Sequence, residues 1–109
     1  MAKHQFGIME KTPAHGERYD HYTPEKYTLI AIDDDFLEPL LTEIDSLDFF
    51  WHALDVPGKG LAYCGITLIP PESMQAMLTM MEKTPELEPL KELLRQANEQ
   101  NKYVIHYGL

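Results

Sequence analysis

The chain has 109 residues, 44% of them apolar, with 18 acidic residues against 9 basic ones and a formal net charge of −9. That length supports one hydrophobic core and not two. Such a charge opposes nucleic acid and anionic membrane surfaces, because both are bound through Lys and Arg. No apolar run reaches the length of a bilayer span, and the amino end MAKHQFGIMEK lacks the apolar core of a signal peptide. A single cysteine, Cys64, excludes an internal disulfide and a cysteine metal cluster, so a cytoplasmic location is the default expectation.

Residues 1–25 differ in character from the rest. They hold three of the five histidines, Pro13, Pro24 and tyrosines 19 and 22. Only Phe6–Met9 reads as a short strand; the remainder predicts an irregular arm held by aromatic contacts on a single domain over 26–109. Tyr27–Ile32 is apolar at both parities and predicts an interior strand. Asp33, Asp34 and Asp35 end it and are placed to cap a helix, with Glu38 at the capping-box offset from Asp35. Leu37, Leu40, Leu41, Ile44 and Leu47 make that helix's apolar stripe, and Pro39 is awkward inside it.

Phe49–Leu54 reads as a second strand, and residues 55–60 (DVPGKG) as a loop returning to Leu61–Ile69, the most apolar run in the chain. Its two-sided apolarity predicts a strand covered on both faces, closed by Pro70 and Pro71. Met74, Met77, Leu78 and Met81 predict a helix, Leu87, Leu90, Leu94 and Ala97 another, and Tyr103–Tyr107 the last strand. This order, β-α-β-β-α-α-β after an N-terminal arm, resembles the split pattern of ferredoxin-like α+β domains. The resemblance implies that Tyr27–Ile32 and Leu61–Ile69 are the central strands and that His52 and His106 lie on opposite edges.

The candidate chemistry is sparse. Asp33-x-Asp35 resembles the nucleophile spacing of haloacid-dehalogenase-like phosphatases, but the chain is too short for their doubly wound sheet, and helix capping is the simpler account. No helical His pair at metal-ligand spacing occurs, so no metal and no cofactor is expected. Pro57–Gly60 lacks the Lys-Ser/Thr of a phosphate-binding loop and reads as a hairpin tip.

With Cys64, Ile66 and Leu68 taken to face the helices, the opposite sheet face receives Tyr63 and Thr67, together with either Phe49 and Trp51 or Phe50 and His52 from one outer strand and either Tyr103, Ile105 and Tyr107 or Val104 and His106 from the other. That face is too apolar to stand in water. The leading expectation is therefore a non-catalytic binding or regulatory module that forms a homodimer or binds a partner through this face. Asp33, Asp34, Asp35 and Glu38 would form an acidic patch for a basic protein partner. One alternative is a small enzyme whose organisation is similar to the dimeric α+β barrels, acting on an apolar or aromatic molecule with a histidine as proton carrier. A third is an immunity-type protein covering a basic partner with its acidic helix.

Overall fold

A computed structural model describes residues 3–62 and 65–108. It is an α+β structure in which one antiparallel sheet of six strands carries helices on a single face. The strands are β1 (Lys3–Ile8), β2 (Leu29–Asp33), β3 (Asp48–Trp51), β4 (Pro57–Lys59), β5 (Ile66–Ile69) and β6 (Val104–Gly108). Their order across the sheet is β2-β1-β6-β5-β3-β4.

This order departs from the ferredoxin-like expectation. The strand expected as a fragment of the arm, β1, is inserted between β2 and β6, pairing Gln5 with Ala31 on one side and with Tyr107 on the other. Tyr27–Ile32 is thereby displaced to the rim, and β6, expected at an edge, becomes interior. Of the Leu61–Ile69 run only β5 is a strand. It is buried at every residue between β6 and β3, in keeping with its two-sided apolarity. The DVPGKG segment is not a bare loop: β4 folds back on β3, pairing Phe50 with Pro57 and Asp48 with Lys59. Gly58 is needed there because a Cβ would meet the Trp51 ring at 2.5 Å.

The first helical run starts at Asp34, earlier than Pro39 suggested. It comprises α1 (Asp34–Leu37), a 3-10 turn over Glu38–Leu40 and α2 (Leu41–Ile44). Pro39 has no N–H to continue the α ladder, and the tighter turn absorbs the break. The expected carboxylate caps are not used: Asp33 occupies the N-cap position without a side-chain bond to the helix. Two later helices, α3 (Met74–Met80) and α4 (Glu88–Glu99), bury Met74, Met77, Leu78, Leu90, Leu94 and Ala97, the positions their periodicity marked. No helix of the described residues is long and apolar enough to cross a membrane.

Two hydrophobic clusters flank the sheet. The larger lies under the helices and takes Phe6, Ile32, Phe49, Ile69 and Val104 from the strands. The smaller lies on the other face and comprises Met9, Ile66, Leu68, Ile105 and Tyr107, with Tyr19, Tyr27, Phe50, Leu54 and Tyr103 packed around them. Ile66 and Leu68 thus point away from the helices, the reverse of the expected parity. The second face is covered by the chain's own residues 9–28. Their backbone is fixed by Met9 N–H to the Tyr103 carbonyl at 2.8 Å and Tyr19 N–H to the His52 carbonyl at 2.7 Å. Tyr22 stands edge-on to Tyr107 at 4.9 Å between ring centres.

Because Phe6 is fully buried in the larger cluster, Phe6→Ala is expected to cost about 3–5 kcal/mol. A urea titration followed by tryptophan fluorescence measures it. A midpoint that hardly moved would mean that the first strand is a detachable arm.

Candidate functional site

On the helix-covered face, β1, β6 and β5 bring three polar side chains into line. Register places Thr67 directly opposite His106, while His106 faces Phe6, two residues along β1 from His4. His4 Nδ1 lies 2.8 Å from His106 Nε2, His4 Nε2 lies 2.8 Å from Asp34 Oδ1, and His106 Nδ1 lies 3.1 Å from Thr67 Oγ1. Thr67 Oγ1 also accepts the Ala62 N–H at 2.8 Å. Both imidazoles and Thr67 are fully buried, and the Asp34 side chain keeps 14% of its surface.

The direction of this chain follows from its ends. A carboxylate only accepts, so His4 Nε2 carries a proton and donates it to Asp34. With both rings neutral, His4 Nδ1 accepts from His106 Nε2–H, and His106 Nδ1 then accepts from the Thr67 hydroxyl. Each member donates once towards Asp34, an arrangement in which successive bonds polarise one another. No buried side-chain nitrogen or oxygen among the described residues lacks a partner. Burial, with His4 alongside, drives the pKa of His106 from 6.5 down to about 3. The assembly is a continuous chain of hydrogen bonds from Thr67 to Asp34, and it ties three strands to the start of α1.

A second histidine constellation lies on the arm side. His52 ends β3 in the left-handed region at φ 65°. Its Nδ1 faces two acceptors, the Tyr19 carbonyl at 3.2 Å and Asp20 Oδ1 at 3.3 Å, so the proton sits on Nδ1. Nε2 is left beside Gly65, where a Cβ would come within 3.1 Å of it. Arg18 holds Asp20 through two bonds of 2.7 and 3.1 Å, and this contact is the main reason that the Asp20 carboxyl titrates below its usual range. Gly65 and His52 border a hollow of about 200 Å³ with Tyr22, Ile66 and Tyr107. A neutral His52 can accept a hydrogen bond from a small molecule there.

The residues expected to share one exposed face are therefore dispersed. Thr67 and His106 belong to the buried chain under the helices. Trp51 also lies on the helix side, stacked on Gly58, with Nε1–H donating to the Gly60 carbonyl at 2.9 Å. Tyr103 packs in the arm-side cluster, and His52 stands at its border. Tyr63 lies outside the described residues, as does Cys64. Of the acidic patch, Asp34 is turned to His4, Asp33 is half-buried, and Asp35 and Glu38 are exposed. His4, Asp20 and Arg18 were not singled out from sequence. The alternation of His4 with Phe6 and Ile8 was the available signal for His4, since it puts the imidazole on the core face.

Among the described residues no group of three or more His, Cys, Asp or Glu is arranged to hold a metal ion. Comparison with protein-family models, curated proteins and solved structures returned no match.

Burial of His106 makes stability depend on pH. His106 takes up a proton near pH 6.5 in the unfolded chain but stays neutral in the fold down to about pH 3. Its contribution is complete above 6.5 and is lost as pH falls through that window, by up to about 1.4 kcal/mol per unit. Urea midpoints measured across the window should fall steeply for the native chain. His106→Gln should be less stable at neutral pH yet lose less on acidification. Parallel slopes would show that other groups drive the acid sensitivity.

Proposed function

We propose that the chain is a non-catalytic binding module whose acidic helical segment engages a protein partner with a basic surface. The observation that carries this reading is the one-signed surface between residues 33 and 48, which holds seven carboxylates and no Lys or Arg. Asp35, Glu38, Glu43 and Asp45 are exposed there, and Phe36 stands among them with 38% of its surface open. An exposed aromatic side chain within a carboxylate-rich segment supplies both an apolar anchor and a one-signed field for a complementary partner. The immunity-type role narrows the same reading to a basic toxin and rests on the same segment.

Two other expectations rank lower. A homodimer through the sheet needs an uncovered face, and residues 9–28 of the same chain occupy that face. The barrel-type enzyme requires a cavity on it for the same reason. What speaks for an enzyme is the His52–Asp20 pair beside its small open hollow, with His52 as the proton carrier.

The binding reading is tested by immobilising the wild-type chain, Asp35→Lys/Glu38→Lys and Phe36→Ala and measuring affinity for any basic protein the wild type retains. The double reversal should weaken binding by at least about tenfold, and Phe36→Ala by roughly as much. Affinity should fall as salt rises. Retention indifferent to both changes would overturn the assignment.

A further inference from the structure

The two rims of the sheet are built differently. At one rim β4 is three residues long and carries Pro57 and Lys59, with Lys59 paired to Asp48. Short length, proline and lysine are the usual guards against unwanted strand pairing. At the other rim β2 has neither proline nor lysine, and its one charge is Asp33 at the carboxyl end. Residues 27–32 contain neither charge nor proline, Thr28 and Ala31 are exposed, and the only ladder β2 makes among the described residues is with β1. Its composition is that of an interior strand in an edge position.

We propose that this rim is completed by an extended basic segment of the partner, which adds a strand to β2. The inference rests on the acidic-surface reading above and specifies how that surface is used. Two features select such an occupant. Asp33 ends β2 and the exposed Asp35 follows two residues on, so an antiparallel incoming strand brings its amino end against them. Charge complementarity therefore calls for Lys or Arg at that end. Beside the rim, a groove of about 400 Å³ combines apolar Ile8, Ile30 and Leu93 with charged Glu10, Lys26 and Glu92. Alternate apolar side chains of the added strand enter it, while the backbone bonds to β2 supply sequence-independent affinity. A second copy of this chain is a poorer fit, because each copy carries −9.

The probe is a short synthetic peptide with lysines at its amino end followed by alternating threonine and valine, compared with a version N-methylated on the backbone. Binding is read by calorimetry, and amide hydrogen exchange is followed by NMR on the full chain. The expected result is protection of outward amides of Leu29–Asp33 by the plain peptide and affinity weakened at least about tenfold by N-methylation. Equal binding of both peptides, without protection but abolished by Asp35→Lys/Glu38→Lys, would overturn strand addition and leave the acidic surface standing. Binding of neither peptide, with partner affinity indifferent to the charge reversal, would remove both. Amides protected before any peptide is added, in a species of twice the chain mass, would assign the rim to a second copy and overturn the proposal.

Discussion

The contact between His4 and His106 governs this architecture. Two imidazoles sealed from water at 2.8 Å cannot both be charged, and each nitrogen needs a partner that bulk solvent no longer supplies. Asp34 satisfies one end and Thr67 the other, so the arrangement closes only if β1 lies directly against β6 and α1 begins beside it. With β1 there, β2 pairs outside it, β6 lies in the interior, and residues 9–28, which lead from β1 to β2, pack across the far face. The strand order and the open rim both follow from where β1 lies.

Much of the helical layer was readable in the sequence. Period and side-chain size mark Met74, Met77, Leu90 and Leu94 as core positions of their helices, and the structure buries them against the sheet and each other. The sheet was less legible for a definite reason. β5 is apolar at both parities, so hydrophobicity could not say which face looks at the helices. Thr67 and His106 then read as members of the face opposite the helices, when they lie beneath the helices, dry and bonded to each other. A polar chain satisfied from within looks, position by position, like surface. The arm hid the most: six residues rich in His, Gln and Gly carry a weak strand signal, and only long-range pairing on both sides makes β1 a strand.

Function follows from how unevenly the molecule presents itself. Its histidines are mostly committed to holding the fold or the arm, and Asp34 is withdrawn from the acidic surface to serve one of them. What remains outward is a carboxylate-rich segment around Phe36 running on from an unguarded strand. One acidic residue stabilises the interior while its neighbours set the charge of the exterior, and the two roles meet at adjacent positions.

The bond that organises the sheet joins positions 102 residues apart in the chain. Neither β2 nor β6 can find its place before β1 is seated between them, and seating β1 needs the final strand. Closing so large a loop carries its entropic penalty before the sheet returns any stabilisation. The chain should therefore assemble late and all at once. A nascent chain still lacking residues 104–108 would hold helices around an unfinished centre, its histidine and its apolar strands waiting in water for the last to arrive.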